Sequence, residues 1–402
     1  MSPRLAAIAA ASLAAAGCVT PARLAGPPPA PADAVVAGFA PSIRGATQGF
    51  RTPEDLAENL SRLRGAVTDG SLDILALSGG GAGGAFGAGA LVGLTEAGRR
   101  PAFEVVTGVS TGALIAPFAF LGAEWDRELE EAYTGPLAEN LLRRRGFSVL
   151  TQPGLFLGDP LRDLVDHFVT GEMIAAVARE ARRGRLLLVQ TTNLDTQDPV
   201  IWNLGEIAQR GGEPARALFR DVLVASASVP GVFPPVMMDV EADGARMQEM
   251  HVDGGVTSSF FVMPQLIAMW SDDQMAELRG GNIYVIVNGQ LDNRLNATPL
   301  NTVPIVSRSF ETSQMFQARA TLALTEDFAR RNRLALRFTR IPRDYDFLGP
   351  LEFERAAMRT LFDFGKEQAR AGRLWSTPAD FVEQLAEPAP ASRPDGENRP
   401  LR

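Results

Sequence analysis

Residues 72–84 read LDILALSGGGAGG, and residues 104–112 read EVVTGVSTG. Each is a short, mostly apolar run that ends in glycines, as expected of a strand buried on both faces. Between them, residues 85–97 have helical length and small side chains, with Gly98 placed as a helix stop. Residues 111–121, TGALIAPFAFL, follow as an apolar helix. Strand, helix, strand, helix with tight glycine turns is the signature of a parallel sheet. The alternation continues on both sides. Thr52 and Pro53 open a helix over 52–64, and residues 124–145 and 159–183 read as helices, the second stopped by Gly184. Residues 186–190 and 283–287 are continuous apolar strands. A short strand at 250–253 follows an amphipathic helix over 214–226. A long helix over 301–332, a last strand over 334–340 and a final helix over 352–373 complete the pattern. The expected fold is α/β: three α/β/α layers with a mainly parallel central sheet, formed by one domain over residues 51–380.

Composition narrows the function. The chain has 402 residues, 39 basic against 47 acidic, and a net charge of −8. That balance argues against a nucleic-acid partner, which needs a basic face. One cysteine excludes an internal disulfide or a cysteine-rich zinc site, and two histidines leave little for a metal site. No metal and no cofactor is expected, and no protein partner is implied.

The amino terminus reads as a leader. Arg4, an apolar run over 5–16 and then Gly17-Cys18 describe a secretory signal over residues 1–17, too short to span a membrane. Ala15-Ala16-Gly17-Cys18 resembles the lipobox of bacterial lipoproteins. That resemblance implies lipidation at Cys18, and Val19 implies sorting to the outer membrane. Residues 18–50, rich in proline and alanine, read as a tether, and residues 381–402 as a disordered tail. The expectation is a lipid-anchored protein of the bacterial cell envelope.

Gly108-Val109-Ser110-Thr111-Gly112 is a G-x-S-x-G placed between a strand and a helix, the context of a nucleophile elbow. The run Gly79–Gly84 follows a strand and exposes successive backbone N–H groups, suited to a developing oxyanion. It also contains G-x-G-x-x-G (Gly79, Gly81, Gly84), the dinucleotide fingerprint. Its acidic partner is missing, because Glu104 has the spacing but starts its strand on the wrong edge of the sheet. A serine nucleophile needs a base. His167 reads as a helix residue, and His251 lies two residues before Asp253, so both would share a strand face. Asp253, at a strand end before Gly254-Gly255, is the simplest base, with His251 the competing one.

These segments together resemble the patatin-like phospholipase family. Four blocks stand in that family's order: LSGGGAGG (77–84), GVSTG (108–112), ASASVPGVFPP (225–235) and DGG (253–255). The resemblance implies a serine–aspartate dyad: Ser110 attacks an ester carbonyl, and Asp253 takes its proton. It assigns the oxyanion to the N–H groups of Gly80, Gly81 and Ala82; Gly254 and His251, beside Asp253 in the sequence, are candidate supporting residues outside what the resemblance implies. The chain departs from the family where Gly83 replaces a cation and where VTSSFF (256–261) replaces an Asn-Pro. Phe260 and Phe261 are expected in the core, Ser226 and Ser228 in structural roles, and Asp195 in a turn. The implied activity is phospholipase A or lysophospholipase chemistry on a lipid ester at a membrane. A non-phospholipid esterase or acyltransferase, or a non-catalytic envelope lipoprotein, are the alternatives.

Overall fold

The computed structural model describes residues 23–24, 34–46, 61–63, 65–68, 70–139, 141–142, 153–262, 280–293 and 297–380. The leader, Cys18, most of the tether and the tail after residue 380 therefore lie outside the described residues. So does most of the helix expected over 52–64.

In chain order, β1 (Val35–Val36) and β2 (Arg44–Ala46) precede the unit β3 (Asp73–Leu77), α1 (Gly84–Glu96), β4 (Val105–Val109) and α2 (Thr111–Leu121). Four helices follow: α3 (Asp126–Thr134), α4 (Pro136–Glu139), α5 (Asp159–Phe168) and α6 (Gly171–Arg182). Then come β5 (Leu186–Asn193), β6 (Asp198–Asn203), α7 (Leu204–Arg210), α8 (Gly212–Ser226) and the hairpin β7 (Val236–Ala242)–β8 (Ala245–Asp253). The chain closes with β9 (Asn282–Val287), α9 (Thr302–Asn332), β10 (Ala335–Arg340) and α10 (Arg355–Arg370).

These strands make one sheet in the order β1-β7-β8-β5-β4-β3-β9-β10, with β6 pairing β5 and β2. The five from β5 to β10 are parallel, as expected from their continuous apolar runs. Alternation along each strand divides the core into two layers. Leu75, Leu77, Leu187, Val189 and Ile286 pack under the helices α1, α2, α5, α6, α8 and α10. Ile74, Ala76, Leu188, Val285 and Val287 pack on the other face, with Ala318 and Leu322 of α9. The three-layer α/β/α arrangement is the one the sequence implied. Phe260 and Phe261 are fully buried in that second layer, so they serve the core.

Three local readings differ. The helix expected over 124–145 is broken at Gly135-Pro136, where proline cannot continue the ladder of the preceding turn. The helix expected over 159–183 divides at Thr170, whose side chain caps α6 by accepting from the Met173 N–H at 3.2 Å. The short strand expected at 250–253 is the end of nine residues, paired with β7 across a turn in which Asp243 and Gly244 both have positive φ. Asp-Gly between alternating runs is the hairpin signal that would have found it.

Candidate active site

The sheet itself brings serine and aspartate together. On one flank of β5 lies β6, antiparallel from Leu188 to Asn193. On the other flank β4 runs alongside as far as Val109, opposite Gln190. There β4 ends, and β8 takes over the same flank from the opposite direction, ending with Asp253 opposite Thr191. The two strands thus stop end to end, and the residues at the junction are Ser110 and Asp253. Ser110 Oγ donates to Asp253 Oδ2 at 2.5 Å.

Ser110 has φ 55° and ψ −126°, a backbone conformation that costs a non-glycine residue on the order of 1–3 kcal/mol. Its surroundings hold it there. The Ser110 N–H donates to Ser226 Oγ at 3.0 Å, and Ser226 in turn donates to the Gln190 carbonyl at 2.7 Å. Gly112 lets α2 start close to β3, since a Cβ there would lie 2.4 Å from the Leu77 carbonyl oxygen. Ser226 and Ser228 are structural, as the sequence suggested, but with a direct role. Ser226 pins the elbow, and the Ser228 carbonyl accepts the Asp253 N–H at 3.0 Å.

Asp253 is buried, and burial pushes its carboxyl up to about 7. The hydrogen bonds from Ser110 and from the Gly255 N–H (2.7 Å) hold it from rising further. A carboxylate near 7 matches a general base that works at neutral pH. Gly254 follows it with its carbonyl accepting from Gln190 Nε2 at 3.0 Å, which fixes the turn beyond the aspartate.

The glycine loop passes over Ser110: a Cβ on Gly79 would sit 3.2 Å from Ser110 Cβ. Gly81 has φ +55°, and a Cβ there would be 2.0 Å from the Pro350 carbonyl oxygen. Of the three expected oxyanion donors, Ala82 is to be corrected. Its N–H donates to the Pro350 carbonyl at 2.8 Å, so it braces the loop. The Gly80 and Gly81 N–H groups donate to no described residue. Asn288, which sequence reading missed, holds the loop from the end of β9. Its N–H donates to Ser78 Oγ at 2.8 Å and its Nδ2 to the Ser78 carbonyl at 2.7 Å. An asparagine just after an apolar parallel strand was the available signal.

His251 is buried beside these residues but faces elsewhere. Its Nδ1 pairs with Thr191 Oγ1 at 2.8 Å and its Nε2 with Glu249 at 3.1 Å, while Glu249 accepts two bonds from Arg44. Burial lowers the His251 imidazole from its ordinary value despite Glu249. Burial would raise Glu249, yet its bonds from His251 and Arg44 bring it to about 2. The histidine thus belongs to a separate buried polar network with no hydrogen bond to Ser110 or Asp253 among the described residues. Asp195 is a turn residue, accepting from the Met250 N–H at 3.0 Å. Glu104 accepts from the Asp73 N–H at 2.7 Å where β3 begins, at the edge away from the glycine loop. Among the described residues, no group of three His, Cys, Asp or Glu side chains could hold a metal.

Comparison with known proteins bears on this geometry. Residues 75–266 match the family model of patatin-like phospholipases. The matched span runs from the middle of β3 to beyond Asp253 and so contains Ser110, Asp253 and the glycine loop, but not Asn288 or Pro350, which hold that loop. Among solved structures, the chain is similar to VipD from Legionella pneumophila, at 14% identity over 75% of this chain and 67% of that one, with a TM-score of 0.41. It is also similar to human GIVD cytosolic phospholipase A2, at 14% identity over 75% of this chain, with a TM-score of 0.33. The alignment spans about half of that second protein, 52% of its chain. No curated protein matches. No helix among the described residues is long and apolar enough to cross a membrane.

Proposed function

We propose that the chain is a serine acyl hydrolase of lipid esters, of phospholipase A or lysophospholipase type, working through a Ser110–Asp253 dyad. The match to the patatin-like phospholipase family supports lipid acyl hydrolysis in general. The observation that carries the finer reading is the 2.5 Å bond from a strained, elbow-mounted serine to a buried aspartate. Ser110 Oγ attacks the ester carbonyl carbon while Asp253 takes its proton. The tetrahedral oxyanion lies against the N–H groups of Gly80 and Gly81. Collapse expels the alcohol, which takes the proton from Asp253, and leaves an acyl-serine. A water then attacks the acyl-serine, giving its proton to Asp253, and the free acid departs as Ser110 is restored. The sequence pattern at 15–18 adds a lipid anchor at Cys18 to this proposal, holding the enzyme in a bacterial envelope beside its substrate.

The test is labelling with a fluorophosphonate probe, followed by incubation with phosphatidylcholine and lysophosphatidylcholine. Wild type should label and release free fatty acid, and Ser110→Ala should do neither. Equal labelling of the two proteins, or no acid released by wild type, overturns the assignment. His251→Asn separates dyad from triad. With its imidazole tied to Thr191 and Glu249, the variant should keep turnover within about tenfold while losing roughly 1–3 kcal/mol of stability in a denaturant titration. A drop in turnover by about a thousandfold would instead make His251 the base.

A further inference from the structure

His251 belongs to a chain of hydrogen bonds whose far end is Arg44, in the segment whose composition reads as a tether. Arg44 opens β2 opposite Trp202 of β6 and lies outside the span matched by the family model. Its guanidinium grips Glu249 with both Nη atoms, at 2.6 and 3.1 Å, and donates to the Ala34 carbonyl at 2.5 Å. Glu249, ionised, can only accept, so its 3.1 Å bond with His251 places the imidazole proton on Nε2. Burial keeps that imidazole neutral, and its Nδ1 therefore accepts from Thr191 Oγ1 at 2.8 Å. Thr191 Oγ1 in turn accepts from Trp202 Nε1 at 2.8 Å, and the Trp202 ring stands edge-on to His251 with centroids 5.7 Å apart. Each group in this chain has one role, and reversing any link leaves a buried donor or acceptor without its partner. The chain crosses from β8 to β5 where the backbone holds least. Those strands pair at three positions, His251 with Asn193, Val252 with Thr192 and Asp253 with Thr191. Thr191, which His251 grips through its side chain, is thus also the backbone partner of the proposed base.

We propose that Arg44 is a positioning residue for the dyad: by fixing Glu249 it orients His251, and through Thr191 it holds the end of β8 in the register that sets Asp253 against Ser110. The proposal rests on the hydrolase reading above. Arg44 touches neither Ser110 nor Asp253, so its loss should shift Asp253 from Ser110 Oγ and slow proton transfer while leaving substrate binding intact. Lysine, a point charge, cannot reproduce the two-pronged grip on Glu249.

The experiment measures kcat and KM for p-nitrophenyl butyrate, together with the rate and the final extent of fluorophosphonate labelling. Arg44→Met should lower kcat and the labelling rate by about fivefold to tenfold, with KM within about twofold and labelling complete at long times. Arg44→Lys should fall between it and wild type, and added guanidinium ion should restore much of the rate lost in Arg44→Ala. Glu249→Gln should match Arg44→Met, and the double variant should be no slower than either single one, as for two links of one chain. Arg210→Met is the control for mere attachment of the segment. Arg210 donates to the Gly38 carbonyl at 2.7 Å and lies over the Phe39 ring, away from Glu249, so its loss should leave kcat unchanged. Ser110-dependent hydrolysis with kcat unmoved in Arg44→Met, or lowered equally in Arg210→Met, overturns the positioning role alone. So does incomplete labelling at an unchanged rate, which marks a misfolded fraction. Absence of any Ser110-dependent hydrolysis overturns both readings.

Discussion

Asp253→Asn is expected to abolish ester turnover and, above neutral pH, to make the folded protein harder to unfold. The first effect follows from the loss of the only carboxylate among the described residues in contact with Ser110 Oγ, and should cost roughly 10³–10⁴-fold in kcat. The second follows from burial. The Asp253 carboxyl titrates near 7 in the folded protein, against an ordinary value of 3.8. Between those values the native state holds a proton that the unfolded chain has lost, so stability falls as pH rises through this window. The penalty is absent below about pH 4 and complete above about pH 7, on the order of 4 kcal/mol at full extent. Asparagine carries no charge to bury, and its amide can keep both the Ser110 and Gly255 contacts. The stability difference between variant and wild type should therefore be near zero around pH 4 and favour the variant around pH 8. Denaturant midpoints at the two pH values measure it. A variant no more stable than wild type at the higher pH would show that Asp253 is not held against its charge. In wild type the same titration should appear in the rate, with kcat/KM rising through about pH 7 as the base ionises.

The glycine-terminated strands and the elbow were legible because their local chemistry is self-contained. An apolar strand followed by G-x-S-x-G permits few structures, and the three-layer fold follows from repeating that unit. What was not legible depends on long-range pairing. Residue order alone does not say that β8 takes over the flank of β5 that β4 leaves, yet this is what sets Asp253 against Ser110. The sequence left His251 and Asp253 as rival bases on one strand. The contacts that turn His251 away from Ser110 come from Glu249 on β8 itself and from two distant strands, through Thr191 on β5 and Arg44 on β2, which binds Glu249. Ala82 was misread for the same reason. A glycine-rich loop advertises free N–H groups, but Pro350, more than two hundred residues later, supplies the acceptor that removes one of them. Ser226 and Asn288 likewise carry no motif of their own, and their roles exist only in contact with the elbow and the loop.

The backbone at Ser110 offers a test that is independent of chemistry. Ser110→Gly and Ser110→Ala should be equally inactive, each by about 10⁴-fold or more, because neither retains a nucleophile. Their stabilities should differ. With φ 55° and ψ −126° the residue sits where a Cβ is strained, and alanine keeps that strain of about 1–3 kcal/mol. Glycine relieves it, at an entropic cost of roughly 0.5–1 kcal/mol in the unfolded chain. The balance leaves Ser110→Gly about 1 kcal/mol more stable than Ser110→Ala, reversing the order expected at an ordinary helix start. Both substitutions also remove the hydroxyl that helps hold Asp253 down, so its titration, followed by carboxyl NMR, should move above about 7 in either variant. If alanine proves the more stable of the two, the strained elbow is not the resting state of Ser110. If the aspartate does not move, the serine is not its hydrogen-bond donor. The two measurements thus probe separately the two features on which the proposed nucleophile rests, its enforced backbone and its buried partner.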